Sequence, residues 1–115
     1  MTVQECYEQA GADYRDAMER LGSEALIGRF ALKFLQDKSY AQLQEGMAQK
    51  DAEKAFRAAH TLKGVCLNLG FDNLYPSSKD LTELLRAGSM DGYEDLFAEV
   101  EKEYNRTCEA LRKVV

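Results

Sequence analysis

Apolar residues recur three and four positions apart along almost the whole chain, a spacing that predicts helices punctuated by glycine and aspartate. The first segment is short, from Val3 to Ala10, and breaks at Gly11. The second follows Asp13, whose carboxylate suits a helix start, and runs to Leu21 before Gly22. Ser23 caps a third, in which Leu26, Ile27, Phe30, Phe34 and Leu35 keep helical spacing. Asp37-Lys38-Ser39 forms a turn, and a fourth segment carries Ala41, Leu43 and Met47. The fifth starts at Asp51 and runs to Gly70, with Lys54 at the third helical position instead of the glutamate of a capping box. Asp72 opens a sixth, which contains Leu74, Leu81, Leu84 and Leu85 and stops at Ala87-Gly88. Pro76 is tolerable only in or near a first turn, so this helix either starts later or kinks. The seventh, from Asp91 to near Lys113, carries Leu96, Phe97, Val100, Tyr104, Cys108 and Leu111. Four longer segments with short connections predict an all-α fold, an antiparallel up-down-up-down four-helix bundle with short extra N-terminal helices.

A length of 115 residues suits one domain spanning residues 1–115. Hydrophobic residues make up 45% and charged residues 30%, which places the chain among soluble globular proteins. The net charge is −5 and no Lys/Arg block stands out, so nucleic acid is not an expected partner. The apolar runs fall far short of the roughly 20 residues that span a bilayer. The start, Met1-Thr2-Val3-Gln4-Glu5-Cys6, lacks the basic and apolar regions of a secretion signal. A cytoplasmic protein with no membrane partner, monomeric, is therefore expected. Cys6, Cys66 and Cys108 are odd in number and far apart, and a single histidine cannot complete a Cys/His zinc set. No metal site is expected, and the three thiols read as reduced, buried hydrophobes.

The chemistry concentrates around the only histidine. On a wheel of about 100° per residue centred on His60, Ala55, Ala58, Ala59, Leu62, Val65, Cys66 and Leu69 fall on the opposite half. That half is continuously apolar and rich in small residues, so it faces the core and His60 faces away from it. His60, Lys63 and Gly64 stand at i, i+3 and i+4 and share one face. A nucleophilic imidazole, a nearby cation and a missing side chain on one exposed strip suggest phosphoryl chemistry. The same side holds Arg57 and Leu67 and extends towards Phe56 and Phe71. Gly64 costs roughly 0.5–1 kcal/mol relative to alanine inside a helix. It either permits close helix packing or clears the approach to the imidazole, and its angle on the His60 side favours clearance. Leu67 either joins Phe71 or Phe56 in a docking patch or lies under another helix.

The run from Ala58 to Gly70 contains His-x-Leu-Lys-Gly in full, as His60-Thr61-Leu62-Lys63-Gly64. In this it resembles the histidine-containing phosphotransfer (HPt) domain. The resemblance implies that His60 is the phosphoacceptor and that Lys63 stabilises the phosphoryl charge. Gly64, Leu67, Arg57 and Phe71 would then meet the docking partner. Family members often place a polar residue of the adjacent helix close to the histidine. Counting from the motif, that position is Thr82, with Lys79 one turn earlier. Thr82 is shorter than the glutamine or glutamate often found there, and Ser78 stands where alanine is usual.

Phosphoryl transfer mostly requires positioning and charge stabilisation. The chain has no G-x-x-x-x-G-K-[ST] loop and no kinase signature set, so it is expected to be a phosphotransfer intermediate and not an enzyme. No cofactor of its own is expected; magnesium and an acidic cluster belong to the partner, a receiver domain. The resemblance implies a phosphocarrier between receiver domains of hybrid histidine kinases and response regulators. The competing reading is a helical binding module that docks on a receiver or other signalling protein without being phosphorylated.

Overall fold

The computed structural model describes residues 1–114, and all regular structure among them is helical. Seven α-helices follow in order: α1 (Val3–Ala10), α2 (Tyr14–Leu21), α3 (Glu24–Lys33), α4 (Ser39–Ala48), α5 (Ala52–Leu69), α6 (Tyr75–Arg86) and α7 (Glu94–Arg112). The predicted caps hold the starts of three of them. Asp13, Ser23 and Asp51 each accept a backbone N–H three residues on, from Asp16, Leu26 and Lys54. Lys54, at the third helical position, places its Nζ 2.8 Å from Glu45 Oε1, an ion pair between the start of α5 and α4.

Three boundaries differ from the sequence pattern. The third segment ends as α-helix at Lys33 and tightens into a 3₁₀ turn over Phe34–Gln36. The sixth begins at Tyr75 and not at Asp72, which leaves Pro76 in the first turn, where its missing N–H has no helical partner to lose. Residues 71–74 instead close a turn in which the N–H groups of Leu74 and Tyr75 both donate to the Phe71 carbonyl. The seventh begins at Glu94, three residues after Asp91. Local spacing cannot separate a helical turn from a tight turn that carries the same apolar residues.

α4 packs on α5, α5 on α6, α6 on α7, and α7 on α1, while α2 and α3 lie against α5. The α4–α5 contact is the closest. A methyl group built on Gly46 would stand 2.7 Å from the Ala55 nitrogen and 2.9 Å from its Cα, so no side chain fits between the two backbones. On the other side, Ser77, Ser78, Leu81, Thr82 and Leu85 of α6 are buried. A run of rings joins the remaining pieces: Tyr7 to Phe71 (5.6 Å between centroids), Phe71 to Phe34 (5.1 Å), Phe34 to Tyr104 (5.6 Å) and Tyr104 stacked on Tyr40 (3.9 Å). The Tyr7 hydroxyl donates to the Leu69 carbonyl at 2.7 Å, which satisfies an end group of α5 from α1. Cys6, Cys66 and Cys108 are free and buried, and burial pushes all three thiols upward, away from the reactive thiolate.

Gly46→Ala should cost stability even though alanine is the better helix former. The collision is with backbone, and overpacking of this kind costs about 1–3 kcal/mol, more than the gain in helix propensity. Urea denaturation followed by circular dichroism measures this; a stabilised variant would show that α4 and α5 do not approach so closely.

Candidate functional site

α5 divides lengthwise. Ala55, Ala58, Ala59, Leu62, Cys66 and Leu69 are buried, whereas His60, Arg57, Thr61, Leu67 and Asn68 are exposed. His60 therefore stands on the solvent side of a helix whose opposite side is locked into the core. A methyl group on Gly64 would meet nothing within 4 Å, so the glycine opens space beside the imidazole and makes no packing contact there. Of the two roles open to Gly64, clearance is the one that the packing supports. Leu67, 39% exposed, continues the open strip one turn further.

The polar surroundings come from α5 and α6 together. Arg57 pairs only loosely with Glu53, at 3.9 Å with both side chains largely in water, so it is available to another partner. Glu83 accepts from Arg86 Nε at 3.1 Å and from Nη2 at 3.4 Å. These hydrogen bonds, aided by the charges of Arg86, Lys63 and Lys79, hold the Glu83 carboxyl below its usual range.

Two residues expected at the site are buried. Thr82 is fully buried, and its hydroxyl donates to the Ser78 carbonyl one turn back at 2.6 Å. Phe71 is 1% exposed and wedged between Tyr7 and Phe34. The cause is Gly70: its left-handed backbone (φ +67°) ends α5 and turns the chain inward before Phe71 can continue the helical face.

The structure adds features that the motif does not announce. Phe56, half-buried, stacks on His60 with ring centroids 5.9 Å apart and planes 18° apart. The Arg86 guanidinium lies over the Phe56 ring, 5.0 Å from its centroid. On the other flank of α5, Val65 and Leu69 line an open groove of about 510 Å³ with Leu21, Phe30 and Phe34. Helical spacing brings Phe56 to the His60 side, but only the docking of α6 and α3 could reveal Arg86 and Phe30.

A family model described as Hpt domain matches residues 32–112, which spans α4 to α7 and the whole His60 motif. No curated protein and no solved structure matches the chain.

Because Gly64 faces open space and has no left-handed backbone to protect, Gly64→Ala should raise stability by roughly 0.5–1 kcal/mol. The sign is opposite to that at Gly46. A loss of stability in thermal unfolding would return Gly64 to the core.

Proposed function

The chain belongs to the Hpt domain family, and from that premise we propose that it is a histidine phosphocarrier of a two-component phosphorelay. His60 accepts a phosphoryl group from a receiver-domain aspartate and passes it to a second receiver. The observation that carries this reading is the exposed imidazole beside Gly64, on the side of α5 away from its buried face.

The chemistry follows from those positions. A neutral imidazole nitrogen attacks the phosphorus of the aspartyl phosphate. A P–N bond forms, the P–O bond to the aspartate breaks, and the carboxylate leaves with the electron pair. The imidazolium so formed loses its remaining N–H proton to water or keeps it until the reverse step. Transfer to the second receiver runs the same exchange backwards, with its carboxylate as the nucleophile. Lys63, one turn from His60, stands where a cation offsets the charge of the phosphoryl oxygens. In this reading the receiver contributes its own magnesium and acidic cluster, and the chain needs no nucleotide, metal or cofactor.

Docking uses the strip around the histidine. The partner approaches over Gly64 and rests on Leu67 and Arg57. The groove that runs from Val65 to Phe30 continues the apolar part of that surface, and Phe71 and Thr82 have no place in it. The whole chain acts as one domain in this reading. α4 to α7 form the antiparallel up-down-up-down bundle, supported by contacts between successive helices across short connections, and α1 to α3 pack on it. No described helix is long and apolar enough to cross a membrane. A cytoplasmic monomer that binds receivers and not nucleic acid fits the net charge of −5 and the absence of a basic block.

With a phosphorylated receiver as donor, the wild type should acquire acid-labile, base-stable label, and His60→Gln should acquire none while keeping its helicity. Magnesium and ATP alone should label neither. Equal labelling of both proteins would remove His60 from the reaction, and receiver binding without any labelling would favour a pure docking module.

Lys63→Ala should slow transfer or shorten the phosphohistidine lifetime without abolishing labelling, because a neighbouring charge assists but forms no bond. An unchanged rate and lifetime would leave Lys63 an ordinary surface residue. Gly64→Gln should hold or raise the melting temperature and sharply reduce transfer, since its side chain occupies the space through which the receiver aspartate must come. Unfolding by this change would contradict the placement of the His60 face.

A further inference from the structure

A solvent-facing histidine is free to turn about χ1 and χ2, and a nucleophile spread over several rotamers meets its electrophile in the right line only part of the time. Thr82, the position where the family resemblance implies a polar residue close to the histidine, is fully buried, and its hydroxyl is bonded to the Ser78 carbonyl. What the imidazole meets instead is Phe56, one turn earlier on α5, with planes 18° apart and centroids 5.9 Å apart. That separation lies within the range of offset aromatic stacking. Phe56 is held in turn: the Arg86 guanidinium lies over its ring at 5.0 Å, and two hydrogen bonds from Arg86 to Glu83 fix the guanidinium. The four side chains form one array, Glu83–Arg86–Phe56–His60, that crosses from α6 to α5.

We propose that Phe56, braced by Arg86, is the positioning residue that sets the orientation of the His60 imidazole for phosphoryl transfer. The inference rests on the phosphocarrier reading for its function, but its structural part stands without it. A stacked phenyl ring suits this task because it restrains the plane of the imidazole without occupying either nitrogen. One nitrogen stays free to attack and the other to release or keep its proton. A hydrogen-bonding neighbour would engage one of them. Arg86 supplies what a half-buried phenyl ring lacks, a fixed partner of opposite electrostatic character over its face. Its ion pair with Glu83 is exposed and adds little stability by itself; its effect is to point the guanidinium.

The single histidine makes the test direct, because ring-labelled histidine gives one imidazole in the spectrum of the full chain. Relaxation of that ring should report restricted motion in the wild type and in Phe56→Tyr. Phe56→Leu should show the mobility of an ordinary surface histidine. In single-turnover transfer from a phosphorylated receiver, Phe56→Leu should lower the maximal rate about tenfold and leave the half-saturating receiver concentration within about twofold. Phe56→Tyr should restore the rate. Arg86→Met should cost about threefold in the wild-type background and nothing further beside Phe56→Leu, since it acts through that ring. Arg86 is exposed, so its variant keeps the test open if Phe56→Leu folds poorly. An unchanged ring mobility in Phe56→Leu overturns the proposal. So does a raised half-saturating concentration at an unchanged maximal rate, which would make Phe56 a docking residue, and so do multiplicative losses in the double variant. If no receiver loads the wild type, the phosphocarrier reading fails, while the relaxation measurement still decides whether Phe56 holds the ring.

Discussion

Ala55, Ala58, Ala59, Leu62, Cys66 and Leu69 must all leave water on one side of α5, and the smallness of the alanines lets the α4 and α6 backbones come close enough to cover them. Gly46 is the counterpart on α4, where even a methyl group would collide with the Ala55 backbone. A helix gripped this closely cannot rotate about its axis without exposing that stripe and forcing charged residues into the seam. The direction of His60 is thus set by residues that never touch it. The same constraint holds an exposed imidazole on a rigid element and not on a loop.

The ends of α5 are secured by longer-range contacts. At its start, Asp51 caps the helix and Lys54 reaches Glu45. At its end, Gly70 takes the left-handed conformation, and the Asp13 N–H donates to its carbonyl at 2.7 Å. A methyl group on Gly70 would press against the Asp13 carbonyl oxygen at 2.5 Å, so α2 and the end of α5 fit only because that side chain is missing. Phe71 then drops into the ring cluster with Tyr7 and Phe34. α1 to α3 lie largely outside the stretch that matches the family model, yet Tyr7 and Asp13 satisfy backbone groups at the end of the site helix. They brace its C-terminal end as α4 braces its start.

Around His60 the two flanks of α5 differ in kind. Towards α6 there is a ridge of Phe56, Lys63 and Arg86, with Glu83 set among the cations. On the other flank, past Gly64, the surface falls away into the groove that Phe30 and Val65 line. One side sets an aromatic ring and cations beside the imidazole, and the other is open. Both follow from where the neighbouring helices sit, since Arg86 and Phe30 are remote in sequence from the histidine.

The existence of all seven helices was legible in the spacing of apolar residues, and so were most of the caps, because both are local: a helix repeats every 3.6 residues and a cap bonds within three. The buried and open faces of α5 were legible for the same reason, and with them the exposure of His60 and the open space beside Gly64. The assignments that failed lay where the chain leaves helical geometry or where a polar side chain has a choice of partners. Phe71 follows the helical face on paper, but one left-handed glycine redirects it into the core. Thr82 counts to the right place from the motif, yet it is buried and its short hydroxyl bonds to the Ser78 carbonyl one turn back. Sequence by itself determined which side of α5 avoids water and which residue types face out beside the histidine. Only the tertiary structure decided that Arg86 lies over Phe56 and Phe56 against His60, because those contacts depend on the approach of two helices, which no periodicity along one of them encodes.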